Sequence, residues 1–243
     1  MAFRRLASFY VFIIPVTLVV GKGFVEEVRQ NFEEKTNSDL VIQVAAFQRA
    51  SLAYMAYASY FHRGDVHLPG FRKFFLAASE DALKSSRILI EYVNDRGGHL
   101  QFPIINMNEA CKMMKVSSDL ADLFPPNYTP RICRFAEKRD QSSFLKDKKK
   151  EKDRSGPEDW QSGLLALKDA LLMERELNRL LLNLRSEAKN RNDYHLQEKV
   201  EQEFLGKQTE HIKKLADVIR RLELYEEADY PLGEYVTDLH LDS

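Results

Sequence analysis

The chain has 243 residues with 36 basic and 37 acidic side chains, a formal net charge of −1 that gives no electrostatic bias towards nucleic acid and disfavours a module built to bind DNA. Hydrophobic residues at 44% and charged residues at 30% are the mix of a globular chain with a core, not of a disordered one. Ten Gly and eight Pro are too few for an all-β sandwich or barrel, and two cysteines, with no Cys/His cluster at ligand spacing, exclude both a disulfide scaffold and a structural zinc site.

The first residues read as a separate object. Arg4 and Arg5 precede an uncharged run from Leu6 to Val20, and Val19-Val20-Gly21 offers modest side chains for cleavage. The run has 15 residues and contains Pro15, whereas a spanning helix needs about 20. Residues 1–21 are therefore expected to be a signal peptide, the alternatives being an uncleaved anchor or a buried N-terminal helix. Cleavage removes two positive charges and leaves 34 − 37 = −3. The mature chain is expected to be secreted or held in a secretory or yolk compartment, under oxidising conditions, with no stable membrane association.

Residues 22–33 form an N-terminal extension, after which helical periodicity sets in. The first predicted helix runs from Glu34 to His62 with the stripe Leu40, Val44, Phe47, Ser51, Tyr54, Ala58, Phe61. Gly64-Asp65 breaks it. A second follows Pro69 with the stripe Phe71, Phe74, Ala78, Asp81, Ser85, Ile88, Tyr92 and stops at Arg96-Gly97-Gly98. The third carries Leu164, Leu167, Leu171, Glu174, Leu177, Leu181, Leu184 and Ala188; the fourth carries Val200, Phe204, Gln208, Ile212, Leu215, Ile219 and Leu222, with Asn192 or Asp193 as its N-cap. Helices of about 28 residues, about 42 Å long and apolar on one face, bury that face side by side. The expected fold is an all-α four-helix bundle.

The connections set its topology. The first and second helices, and the third and fourth, are joined by short turns and are antiparallel neighbours. Between Gly98 and Trp160 lie 61 residues, a crossover with a large excess. On this division residues 34–105 hold the first two helices, 106–157 an insertion, and 158–243 the last two with a short fifth helix after Pro231. The insertion holds Cys111, Cys133, a strand-like or turn-rich Phe124 to Pro130, and the basic run Lys146 to Arg154, which reads as a solvated segment.

Short words placed along this frame carry a family resemblance: Val28-Arg29-Gln30-Asn31-Phe32, Tyr60-Phe61 with Arg63, Asp65 and Val66, Arg96-Gly97-Gly98, Asp159-Trp160 with Ser162-Gly163-Leu164, Asn192-Asp193 with His195-Leu196, and Leu232 with Glu234-Tyr235. In this order they resemble ferritin, from Val28 to the C-terminus. The resemblance implies a shell of 24 subunits, homo- or hetero-oligomeric, that takes in Fe²⁺ and stores iron as a ferric mineral.

It also implies which residues to inspect. A ferroxidase centre needs carboxylates and a histidine from facing helices, including a Glu-x-x-His pair one turn apart. The matching positions here are Ala82 and Ser85, and Phe47 stands where the family has a glutamate. Tyr54, Glu174 and Gln208 are the remnants of the site. The centre is therefore expected to be inactive, filled by substitutions as in ferritin light chains, with the subunit dependent on a ferroxidase-competent partner. Glu174 is then a buried polar group held by Tyr54 and Gln208, or a weak iron ligand. At the positions matching the light-chain mineral-nucleating patch, Ala77, Glu80, Asp81 and Lys84, with Arg87 one turn on, leave only Glu80 and Asp81 as candidate cavity iron ligands or a solvated pair.

Glu198 and Glu201, three apart on one helix face, match acidic residues of the three-fold iron channel, or are ordinary surface charges. Leu232, Val236 and His240 match the apolar lining of a four-fold pore. Cys111 and Cys133 are expected to pair with each other, to link subunits, or to remain thiols. Asn127-Tyr128-Thr129 is a glycosylation candidate at Asn127 despite the following Pro130, and the insertion is expected on the particle's exterior. The alternative function is a structural or binding shell with vestigial iron storage.

Overall fold

A computed structural model of the chain describes residues 28–124, 128–133 and 163–242. The expected signal peptide, Asn127, Trp160 and the basic run at 146–154 lie outside the described residues. The long helices are α1 (Glu34–Phe61), α2 (Pro69–Asp95) and α4 (Gly163–Asn190); a short α3 (Met107–Met113) and a 3₁₀ segment (Ser118–Leu123) stand between α2 and α4. Next come Tyr194–Val200, a π-helical Glu201–Leu205 and Gly206–Leu222. Val200, Glu201, Leu205 and Gly206 all keep right-handed helical dihedrals, so these segments are one helix, α5 (194–222), with a π-bulge. α6 (Tyr230–Asp242) ends the chain. α1, α2, α4 and α5 form the four-helix bundle, α6 packs on α2 and α5, and α3 lies on α1 and α4.

The core lies along the bundle axis, with an aromatic stack between α1 and α2. Phe75 sits 5.0 Å from Tyr57 and 5.6 Å from Phe61, and Phe61 lies 5.1 Å from Phe71. The predicted stripe of α2 needs correction. The buried line runs Phe71, Phe75, Ser79, Ala82, Ser86, Leu89 and Tyr92 with Val93, whereas Phe74, Ala78, Ser85 and Ile88 are half-buried and Asp81 is exposed. The physical reason is the buried serines. Ser79 Oγ donates to the carbonyl of Ser51 at 2.9 Å, and Ser86 Oγ to that of Leu83 at 3.1 Å, so two polar residues fit the core line.

Each end of the bundle is fastened by side chains. At one end Arg96 donates to both carboxylate oxygens of Asp193 at 3.1 Å and to the carbonyls of Gln30 and Asn31, joining the N-terminal strand of chain to the α4–α5 turn. Asp193 is the N-cap of α5, its side chain accepting from the Leu196 amide at 3.1 Å. Gly97, at φ 69°, turns the chain out of α2. At the other end α6 supplies acceptors to two helix starts: Asp238 accepts from the Phe71 amide at 2.8 Å, and Glu234 accepts from the Gly163 amide.

The first part of the insertion packs on the bundle, burying Ala110, Met113, Met114, Leu120, Phe124, Ile132 and Cys133. Its expected strand-like stretch forms no strand among the described residues. The anchor is Asp169 of α4, which is fully buried and accepts from Tyr57 Oη at 2.5 Å, Tyr128 Oη at 2.5 Å and the Arg131 amide at 2.9 Å. Burial pushes the Asp169 carboxyl up to about 6, partly offset by the two tyrosine hydroxyls and the amide. Cys111 and Cys133 form a disulfide with Cα atoms 5.5 Å apart, closing this docked segment on itself.

Candidate metal centre

The remnant cluster forms where α1, α4 and α5 face one another. Glu174 Oε1 accepts from Tyr54 Oη at 2.5 Å, and its Oε2 accepts from Gln208 Nε2, which also donates to the Glu174 backbone carbonyl at 3.0 Å. All three side chains are buried, so the carboxylate's desolvation is offset by directed donors. Burial raises the Tyr54 pKa well above its usual value, and the adjoining Glu174 charge adds to it, so the phenol holds its proton and stays a donor.

One residue was not legible in advance. His211, one helical turn beyond Gln208 on α5, brings Nδ1 to 3.8 Å from Glu174 Oε2. At that distance the contact is an ion pair rather than a hydrogen bond. Glu174 is the largest cause of a raised His211 pKa; burial opposes it, Asp81 adds to it and Lys214 opposes it. The signal was the spacing Gln208-x-x-His211, which puts the ring on the face of α5 that carries the cluster.

The residues present do not fit a di-iron centre. Phe47 packs on Phe204 with ring centroids 5.8 Å apart, Ala82 is buried without a ligating atom, and Ser85 offers only a hydroxyl. No group of three His, Cys, Asp or Glu side chains suited to a metal occurs among the described residues. A cavity of about 250 Å³ nevertheless remains, lined by Phe47, Ala82, Ser85, Glu174, Gln208 and His211, with Asp81, Lys84 and Lys207 also on its wall. The expectation that substitutions fill this space is therefore corrected. Phe47 fills one side, but the small residues at 82 and 85 leave their side open.

A ferritin-like domain profile matches residues 38–120 and 128–225 of the chain. The chain belongs to the ferritin family. It is 39% identical over 225 residues to the yolk ferritin of Lymnaea stagnalis, covering 89% of this chain and 90% of that protein. It is 33% identical to a ferritin heavy chain of Echinococcus granulosus, covering 87% and 93%, and 30% identical to a ferritin lower subunit of Aquarana catesbeiana, covering 88% and 96%.

The other ferritin-matched residues are spread over the molecule. Glu80 and Asp81 are both exposed on α2, and Asp81 also lines the remnant cavity, which Glu80 does not. Glu198 and Glu201 are exposed at the π-bulge of α5; Glu198 accepts from Gln202 Nε2 at 2.9 Å, and Glu201 pairs with Arg185, which holds its carboxyl below the usual range. Leu232 and His240 are exposed on α6 and Val236 is half-buried. The His240 ring Nδ1 donates to the Val236 carbonyl at 2.7 Å. No described helix is long and apolar enough to cross a membrane.

Proposed function

We propose that this chain is an iron-storing shell subunit that takes in Fe²⁺, holds iron as ferric mineral, and depends on another subunit for rapid oxidation. The observation that carries the reading is the occupancy of the remnant centre: Phe47, Ala82 and Ser85 face Glu174, so paired irons lack most of their ligands. Likeness to a yolk ferritin over nine-tenths of both chains supports a secreted, yolk-compartment form assembled into a 24-subunit shell. Its N-terminal signal sequence and glycosylation at Asn127 belong to the same proposal.

The reaction divides accordingly. At a competent partner subunit O₂ takes the electrons from Fe²⁺, while this chain contributes wall, channel and interior surface. Mixing the homopolymer with Fe²⁺ under excess O₂ should give slow oxygen consumption without a stoichiometric burst. A rapid burst abolished by Glu174→Ala would sink the reading. Iron content of purified particles separates storage from a purely structural shell.

A further inference from the structure

The cavity of about 250 Å³ sorts its lining by depth. Glu174 and Gln208 are buried at its floor, whereas Asp81 and Lys84 of α2 and Lys207 of α5 are exposed at its mouth, with Ser85 and His211 half-buried between. What the mouth can hold follows from its free hydrogen-bonding groups. Glu174 has its oxygens engaged by Tyr54 and Gln208. Among the described residues the side chains of Lys84 and Ser85 have no partner, and Lys207 has only Glu203 at 3.9 Å, too far for a hydrogen bond. His211 turns Nδ1 towards Glu174, which leaves Nε2, on the other edge of the ring, without a hydrogen bond. Ammonium and imidazolium groups are donors only, and a hydroxyl can donate. Four donors thus face one carboxylate without a hydrogen bond, Asp81, the reverse of what a cation requires. We propose that this mouth, between α2 and α5, binds one inorganic phosphate through Lys84, Lys207, Ser85 and His211 Nε2.

The placement of the donors supports this. Lys207 and His211 are four apart and share a face of α5, while Lys84 and Ser85 line the same cavity from α2. Long, rotatable lysine stems let both ammonium groups close on the anion. Glu174 acts on it through the imidazole: it is the largest cause of the raised His211 pKa, which burial and Lys214 oppose and Asp81 assists. Lys214 lines an adjoining cavity of about 90 Å³ that shares Asp81, Glu174 and His211. Its ammonium lies 5.3 Å from the Phe74 ring centre and has no carboxylate partner among the described residues, so it adds positive potential beside the site. Its neighbour Lys213, which lines neither cavity, is instead paired with Asp217.

Two carboxylates oppose the anion, Asp81 at the mouth and Glu174 at the floor, and three ammonium groups with an imidazolium outnumber them. The space is below the range of pockets that enclose drug-sized ligands, which selects a small free anion. Binding itself needs no iron. On the storage reading proposed above, a held phosphate would present oxygen to ferric mineral where this wall has few carboxylates of its own.

The test is equilibrium dialysis of radiolabelled inorganic phosphate against the iron-free assembled protein at low ionic strength, where the attraction is least screened. The expected result is one phosphate per subunit. Lys84→Gln combined with Lys207→Gln should weaken binding by at least about tenfold, His211→Gln by about tenfold, and Asp81→Asn should tighten it. Lys213→Gln, which removes a cation elsewhere on α5, should leave binding unchanged. Crystals soaked in arsenate, a tetrahedral analogue, should show an anomalous peak between Lys84 and Lys207. Unchanged binding in the double lysine variant, an equal loss in Lys213→Gln, or no arsenate peak at the mouth overturns the proposal. Particle size of each variant confirms assembly. Iron content is read separately, so a particle that binds phosphate but stores no iron sinks the storage reading alone, and one that stores iron without this binding sinks the site alone.

Discussion

Asp169 shows how one side chain can decide where a whole segment sits. Its folded pKa of about 6 lies above the unfolded carboxylate value, so folding favours the protonated form. The sign follows: the stabilisation linked to Asp169 is full below about pH 4 and is lost as pH rises through about 6, a change of about 3 kcal/mol for a fully buried group. Because Tyr128 and the Arg131 amide both donate to it, that energy is expressed as docking of the insertion. Hydrogen exchange of residues 128–133, corrected for intrinsic rates, should show protection falling by roughly twentyfold between pH 4.5 and pH 7. Asp169→Asn should remove that dependence, and a pH-independent protection in the unaltered chain would contradict the assignment.

Among the elements, α6 has the most exacting fit. A Cβ at Gly70 would lie 1.8 Å from the Asp238 carbonyl oxygen, so only glycine lets α6 approach the start of α2 this closely. Gly70→Ala should push α6 off the bundle and strip the Asp238 acceptor from the Phe71 amide; Asp238→Ala, losing the acceptor alone, should cost about 1–2 kcal/mol. Limited proteolysis between residues 224 and 230, with particle yield, checks both, and Gly70→Ala should be the worse. The bundle helices were legible because one apolar face repeats over nearly 30 residues, and the family words were legible because they are the end fasteners, Arg96 with Asp193 and Glu234 with the Gly163 amide. The register of α2 was not, because Phe74-Phe75 and Ile88-Leu89-Ile90 offer apolar residues on adjacent faces and the true line passes through two serines. The docked insertion was illegible for another reason. Its buried residues, from Ala110 to Ile132, follow no period, and their anchor is a charged residue on a distant helix. His211 lay off the apolar stripe, so its only sequence signal was the Gln208-x-x-His211 spacing, and the cavity it faces identifies it.

At the scale of the proposed shell, the question is what a single-chain surface charge does when three copies surround a channel. On the proposed channel reading each subunit would bring Glu198 and Glu201 to the pore, but Arg185 sits on Glu201 and supplies an opposing charge. Six carboxylates offset by three guanidiniums leave a net −3 around the pore, so the attraction for Fe²⁺ is half of what the acids alone would give. Two substitutions should therefore act in opposite directions on iron entry. Replacing Glu198 and Glu201 together by Gln should slow mineral loading by about tenfold when a ferroxidase-competent subunit is co-assembled, while Arg185→Gln should quicken it. Salt distinguishes steering from simple binding: the Debye length falls from about 30 Å at 0.01 M to about 10 Å at 0.1 M, so both effects should shrink over that range. Stopped-flow loading at the two ionic strengths, with subunit ratio held constant, gives the comparison. Loading rates that ignore all three substitutions at low salt would reduce Glu198 and Glu201 to solvated surface charges, and a slowing caused by Arg185→Gln would show that the ion pair, not the net charge, holds the channel in its working shape.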